Sequence, residues 1–111
     1  MSAPRKILVA SECGIAIRSL KDVPDAVGAC FGTDGLILSE GDLAPEFFDL
    51  KSGLAGEVLQ KFVNYRVRVA VVVPDPTVHG ERFSELAREH KSHNAIRFVG
   101  SRQDAETWLR A

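Results

Sequence analysis

Short apolar runs alternate with amphipathic segments along the chain. Largely apolar runs predict strands at Lys6 to Ala10, Leu36 to Leu38, Arg66 to Val73 and Ala95 to Val99. The run Leu36 to Leu38 is continuous, which predicts a strand covered on both faces. Segments with apolar residues every three or four positions predict helices. They span Val23 to Cys30, Gly53 to Val63, His79 to Lys91 and Ser101 to Leu109. Because strands separated by helices pair in parallel through right-handed crossovers, the pattern predicts a mainly parallel sheet.

The beginning of the chain departs from this alternation. Ile15 to Arg18 is a second short extended run, separated from the first strand by the turn-like sequence Ser11-Glu12-Cys13-Gly14. Two extended runs joined by a short turn are most simply an antiparallel hairpin. The expected fold is therefore a single α/β domain over residues 1–111, a mixed sheet with an N-terminal hairpin arm and flanking helices.

Composition and charge narrow the classes of function. A chain of 111 residues with 45% hydrophobic and 26% charged residues is typical of one globular domain that needs no disulfide staple. The net charge of -1 and the scattered lysines and arginines argue against binding to nucleic acid or to an anionic membrane. The early apolar run Ile7 to Ala10 is too short for a signal peptide or a membrane span, so we expect a cytoplasmic protein with reduced cysteines.

The segment Glu46 to Tyr65 has the clearest pattern. One side of its helix carries an apolar stripe that predicts packing against the sheet: Leu54, Ala55, Val58, Leu59 and Phe62. The opposite side carries a polar stripe at the same spacing: Glu57, Gln60, Lys61 and Asn64. Such a stripe is either a solvated helix face or a contact surface for a partner, and both interpretations stay open. Glu57 also precedes Lys61 by four positions, which favours a weak surface ion pair.

Ser52 and Gly53 stand where this helix is predicted to begin. As an N-cap, the Ser52 hydroxyl would accept a hydrogen bond from a free backbone N–H, worth about 1 kcal/mol. The same position suits a phosphate, since the phosphate would meet free N–H groups and the positive end of the helix dipole. The nearby carboxylates of Glu46 and Asp49 would repel that phosphate. A switch at Ser52 therefore requires a partner that recognises the serine.

The string FFDLKSGLAGEVL, Phe47 to Leu59, resembles the STAS domains, the anti-sigma-factor antagonist family. In that family an acidic residue precedes a serine-glycine-leucine at the start of a helix, and the phosphorylatable serine would fall on Ser52. The resemblance implies a regulator in a bacterial cytoplasm whose partner is another protein, such as a kinase or an anti-sigma-type regulator. Two residues separate Asp49 from Ser52, one more than the usual spacing.

A longer string is more specific. GLAGEVLQKFVNY followed by RVRVAVV resembles an uncharacterised bacterial family of domains of unknown function with a STAS-like arrangement. This second resemblance covers about Phe47 to Val73 and implies no activity.

Motifs of metal, nucleotide or nucleophile chemistry are missing from the sequence. His90 and His93 are three positions apart, but His90 shares an apolar helix stripe with Phe83, Leu86 and Ala87, which favours a half-buried histidine over a metal ligand. No CxxC, HExxH, GxGxxG or Walker loop is present. We predict no metal, no cofactor and no catalytic residue.

The sequence therefore favours a non-enzymatic regulatory or protein-interaction module, with Ser52 as its switch. The alternative is a small-molecule binder or enzyme that uses a cleft at the carboxyl ends of the strands, where Ser39, Glu40 and the turn Pro74 to Thr77 would meet. A homodimer with a structural interface is a third possibility.

Overall fold

Four parallel strands form the sheet and follow one another in chain order. The computed structural model describes residues 6–111. The strands are β1 (Ile7–Val9), β2 (Gly35–Ser39), β3 (Val69–Val72) and β4 (Ile96–Val99), in the order β1-β2-β3-β4. One row of the register crosses the whole sheet, through Leu8, Leu36, Val69 and Ile96. The predicted α/β fold, with a parallel sheet and flanking helices, is confirmed.

Six α-helices and four 3-10 turns connect and flank the strands within the described residues. The helices are α1 (Ala10–Cys13), α2 (Val23–Ala29), α3 (Pro45–Phe48), α4 (Leu54–Asn64), α5 (Glu81–Glu89) and α6 (Arg102–Arg110). The 3-10 turns are Leu20–Asp22, Glu40–Asp42, Leu50–Ser52 and Pro76–His79. The predicted helix from His79 to Lys91 is thus shorter, because Gly80 at φ +102° separates the last turn from α5.

The two faces of the sheet are covered unequally. Helices α2, α4 and α5 pack on one face, where a large core contains the buried residues Val23, Val58, Phe62 and Phe83. Among the helices of residues 6–111, α6 alone packs on the other face, where Ala105 and Leu109 contact Ile37 and Ala70 in a smaller core. This arrangement explains why β2 and β3 read as continuous apolar runs, since their residues are buried on both sides.

The predicted N-terminal hairpin was wrong. After β1 the chain turns into α1, which ends at Gly14 in the left-handed conformation at φ +71°. Ile17 forms a single parallel bridge with Leu43, through Ile17 N–H to the Asp42 carbonyl at 2.7 Å and Ala44 N–H to the Ile17 carbonyl at 3.0 Å. Ile17 is fully buried, so its segment has the apolar character of a strand without pairing to β1.

The end of α4 has an unusual residue in a common motif. Arg66 N–H donates to the Val63 carbonyl at 3.0 Å, and Val67 N–H donates to the Phe62 carbonyl at 2.9 Å. These two bonds define a Schellman motif, in which the residue after the C-cap is left-handed and usually glycine. Here that residue is Arg66, at φ +59°, the one positive-φ residue other than glycine in the described chain. It also shortens the predicted strand from Arg66, because β3 begins only at Val69.

Arg66→Gly is expected to stabilise the protein by about 1 kcal/mol. A left-handed conformation costs a non-glycine residue about 1–2 kcal/mol that glycine does not incur, and the larger entropy of glycine in the unfolded chain offsets part of the gain. The expected rise in melting temperature is about 4 °C. Thermal unfolding followed by circular dichroism measures it. A variant that melts below the wild type would show that the Arg66 side chain contributes more to stability than its backbone costs.

Candidate functional site

The Ser52 hydroxyl bonds to three backbone groups at the start of α4. It donates toward the carbonyl oxygens of Glu46, at 2.6 Å, and Asp49, at 2.8 Å. It also accepts a hydrogen bond from Leu54 N–H at 3.2 Å. Through these bonds the serine ties the end of α3 to the first residue of α4. The Ser52 hydroxyl therefore fixes how the chain enters the helix.

The cap of α4 lies one residue later than predicted. Gly53, at φ +77°, occupies the N-cap position, and Ser52 is the last residue of the preceding 3-10 turn. Ser52 still satisfies one free N–H of the helix, since its hydroxyl bonds to Leu54. Asp49 caps the 3-10 turn, with its carboxylate accepting from Lys51 N–H at 3.1 Å. Ser52, Gly53 and Asp49 all lie on the surface of the protein.

The polar stripe of α4 faces outward and lines a groove. Glu57, Gln60, Lys61 and Asn64 are all exposed, and the apolar stripe on the other side is packed in the core as predicted, apart from the half-buried Leu54. With Leu20 and Gly56 the four residues line an open groove of about 560 Å³. Gly56 contributes to the depth of this groove, since no atom lies within 4 Å of the position where its Cβ would be.

The hydrogen bonding along this stripe differs from the expectation. Gln60 Nε2 donates to Asn64 Oδ1 at 2.8 Å, one turn further along the helix. Glu57 and Lys61 form no ion pair, although their spacing suits one. An exposed pair of this type is worth only about 0.3–0.5 kcal/mol, which is too little to immobilise two long side chains. Both charged side chains are exposed on the helix surface.

A second group of side chains meets at the carboxyl ends of β2 and β3. His79 Nε2 lies 2.6 Å from Glu40 Oε2, joining positions 39 residues apart in sequence. The His79 ring stacks on Phe48 with centroids 3.9 Å apart. Ser39 does not join this group through a hydrogen bond to His79 or Glu40. Its N–H donates to the buried Asp42 carboxylate at 2.8 Å. Of the residues predicted to form a cleft here, Glu40 thus pairs with a histidine just beyond the predicted turn.

The contact of His79 with Glu40 was not predicted from the sequence, because His79 was assigned to the start of a helix. The only sequence signal was its position two residues after Thr77, where the Pro74 to Thr77 turn ends. In the structure Asp75 caps that turn by accepting bonds from the hydroxyl and the backbone N–H of Thr77, which lower the pKa of the Asp75 carboxyl. The turn therefore projects His79 back toward β2.

The remaining histidines form hydrogen bonds with the backbone, and the two cysteines lie in different surroundings. His90 is half-buried, and its Nδ1 lies 2.9 Å from the Leu86 carbonyl oxygen, as expected for a bonded ring in an apolar stripe. His93 Nδ1 accepts from Ala95 N–H at 3.0 Å. Cys13 is exposed and Cys30 buried. Burial, with a smaller effect of Cys13, raises the pKa of Cys30 to about 11, so its thiol is protonated at neutral pH. Residues 6–111 contain no cluster of three or more metal-ligating side chains.

A family model matches nearly the whole chain. The family is described as Domain of unknown function (DUF4180), and the match covers residues 2–109. The chain belongs to this family. Neither the curated proteins nor the solved structures include a match to the chain. The expected membership of a family of unknown function is confirmed, and the DUF4180 family brings no activity that could be transferred to these residues.

None of the helices in residues 6–111 combines the length and the apolar character that a membrane span requires.

Replacing Ser52 with alanine is expected to destabilise this DUF4180 domain by about 1 kcal/mol. The substitution removes the acceptor of Leu54 N–H and the donor to two carbonyl oxygens, and water compensates part of the loss because the site is exposed. Urea denaturation measures the change. Ser19→Ala is a suitable comparison, since Ser19 caps the short 3-10 turn Leu20–Asp22 instead of a long helix. An equal loss in both variants would contradict a special role of Ser52.

Proposed function

We propose that this protein is a non-enzymatic interaction module that binds another protein through the exposed face of α4, with Ser52 as a phosphorylation switch. The observation that carries the proposal is that Ser52 is an exposed residue whose hydroxyl bonds to three backbone groups that orient the start of α4. Modification of this hydroxyl would alter the α4 surface that adjoins it.

The chemistry of these bonds explains how a phosphate would act. A phosphorylated serine has no hydroxyl hydrogen, so it cannot donate to the carbonyl oxygens of Glu46 and Asp49. Its negative charge would meet those two oxygens and the Asp49 carboxylate at close range, and like charges at short distance destabilise a local structure. Leu54 N–H would remain as a donor to the phosphate. Phosphorylation would therefore release the connection to α3 while keeping the helix capped.

The neighbouring helix face suits a protein partner. Glu57, Gln60, Lys61 and Asn64 provide charges of both signs and amide groups around a groove with little side-chain bulk at Gly56. A partner helix or loop with complementary polar groups fits such a surface, since polar contacts supply specificity at transient interfaces. The partner is a kinase or an anti-sigma-type regulator of a bacterial cytoplasm, by the resemblance of Phe47 to Leu59 to STAS domains. Four parallel strands in chain order, with the serine just before α4, fit a STAS-like arrangement.

Labelling tests the switch. The protein is incubated with radioactive ATP and kinase-containing extract of its source cells, and the modified residue is located by mass spectrometry. We expect one phosphate at Ser52 and none in Ser52→Ala, whereas Ser19→Ala, which alters another exposed serine, is labelled like the wild type. Unchanged labelling of Ser52→Ala would contradict the proposal.

Crosslinking tests the surface. A photoreactive phenylalanine analogue at position 60 or 64 should capture one partner in the same extract, and the same analogue at Gln103 on α6 should not. When the protein carries phosphoserine at position 52, the yield of this crosslink should differ at least fivefold from that of the unmodified protein. Capture of a second copy of the chain would instead identify this face as a homodimer interface, and equal capture from both helices would exclude a specific surface.

A further inference from the structure

A concave surface lies at the amino-terminal edge of the sheet, away from Ser52 and from the Glu40–His79 pair. It has a volume of about 390 Å³, which is in the range of small-molecule sites. We call it the amino-edge pocket. It is formed by the end of α2, the turn into β2 and the connection from α4 to β3. The side chains that matter for its chemistry are Phe31, Asp34, Tyr65, Arg66 and Arg68.

Two aromatic side chains at this pocket are open to solvent. Phe31 is 89% exposed and Tyr65 is 57% exposed, and both are among the few large apolar residues left on the surface in residues 6–111. An isolated exposed aromatic needs no explanation, but two that line the same concavity offer apolar surface to a flat ligand. The core does not account for either residue.

Arg66 brings a positive charge to the pocket that no other described residue neutralises through an ion pair. Its guanidinium group has no hydrogen-bond or ion-pair partner among residues 6–111. Its backbone occupies the left-handed position that glycine fills best, so an arginine there costs conformational energy that glycine would not. A strained backbone beneath an unpaired cation is the pattern expected when the side chain serves a ligand.

The other charged groups of the pocket set the charge of that ligand. Arg68 donates to the carbonyl oxygens of Trp108 and Leu109, at 3.3 and 3.4 Å, which holds its guanidinium in place. Asp34 contributes one carboxylate against the two guanidinium groups, so the pocket carries one net positive charge. Cys30 adds none, because its buried thiol stays protonated.

We propose that the amino-edge pocket binds a small planar aromatic carboxylate. The single negative charge of the carboxylate matches the net charge of the pocket, and Arg66 presents the planar fork that pairs with a carboxylate through two hydrogen bonds. A phosphate ester carries almost two negative charges at neutral pH, and Asp34 disfavours the second of them. The aromatic ring lies against Phe31 and Tyr65. This site is separate from the α4 surface and does not depend on its function.

Titration followed by NMR tests the proposal. Indole-3-acetate is the probe, added to the full chain while backbone amide signals are recorded. We expect saturable binding at micromolar to low millimolar concentrations, with the largest shifts in residues 30–35 and 65–68. Acetate lacks the ring and indole-3-acetamide lacks the charge, so both should bind at least tenfold more weakly. Adenosine monophosphate should also bind more weakly than indole-3-acetate.

Three variants connect the binding to the named residues. Arg66→Gly keeps the backbone conformation and should lose at least tenfold in affinity, Arg66→Lys should recover part of the loss, and Phe31→Ala should lose several-fold. Arg88→Ala, which removes an exposed arginine on α5, should bind like the wild type. No saturable binding of indole-3-acetate by 10 mM, unchanged affinity in Arg66→Gly, or tighter binding of adenosine monophosphate would each overturn the proposal.

Discussion

Phe83→Ala should destabilise the protein by about 4 kcal/mol, a large share of the 5–15 kcal/mol that holds a typical domain folded. Phe83 is 1% exposed and joins α5 to the sheet. Its ring contacts Phe48 and Phe98, with centroids 5.2 and 5.5 Å apart, and packs edge-on to His79 at 5.2 Å. Alanine would leave a cavity bordered by all of these rings. The tilted and edge-on contacts that Phe83 makes with these rings would be lost together with the buried area of Phe83 itself.

Urea denaturation and NMR test this expectation at two levels. The midpoint gives the loss of stability, and Phe83→Leu, which keeps most of the volume, should lose only about 1 kcal/mol. Phe31→Ala is the control, since that exposed phenylalanine should change stability by less than about 0.5 kcal/mol. In Phe83→Ala the His79 ring signals should broaden, because one wall of its packing is missing. A loss below 1 kcal/mol would mean that the cluster is not closely packed.

Gly35→Ala is expected to cost about 2 kcal/mol by separating α6 from the sheet. A Cβ at this position would lie 2.5 Å from Leu109 Cδ2 and 3.0 Å from the Arg68 carbonyl oxygen. Real side chains do not approach so closely, and the carbonyl belongs to the backbone of the residue just before β3, so α6 must move or its leucine must change rotamer. Either response disturbs the small core around Leu109, which has few residues to compensate.

A second glycine provides the matched control. Gly28→Ala, in α2, meets no atom within 4 Å and should stabilise the protein by about 0.5–1 kcal/mol through the higher helix propensity of alanine. The double variant Gly35→Ala/Leu109→Ala should lose at least 1 kcal/mol less than the sum of its single variants, because the clash disappears with the leucine. Additive losses would indicate that the contact with Leu109 is not the cause.

The fold was largely predictable because buried positions recur at regular intervals along the sequence. The apolar stripe of α4 repeats every three to four residues and the strands are continuous apolar runs, and both patterns follow from packing on a sheet covered on two faces. Ile17 shows the limit of this reasoning, since a buried extended residue looks the same whether it pairs with β1 or forms a single bridge to Leu43. Local pattern does not specify the pairing partner.

The site was less predictable, because its contacts connect distant positions. Glu40 and His79 meet only when β2 and β3 lie side by side, and nothing near either residue in sequence signals that contact. The position of Arg66 depends on a helix end where glycine would be expected, so its conformation could not be read from its identity. Ser52 was recognisable because a helix start is a local feature, although the structure moved the cap to Gly53.

The strands lie in the sheet in the same order as in the chain, which affects how the protein folds. Within residues 6–111 each strand hydrogen-bonds only to the strand before or after it along the chain, so β1 to β4 can assemble as a ladder from successive neighbouring units. Because β1 does not pair with β4, a sheet of two or three strands would be a stable partial structure as far as strand pairing is concerned. Helix α6, at the end of the described chain, contacts β2 and β3 as well as β4. Its docking converts a series of local steps into one cooperative transition, and a protein with a weakened α6 should unfold in stages.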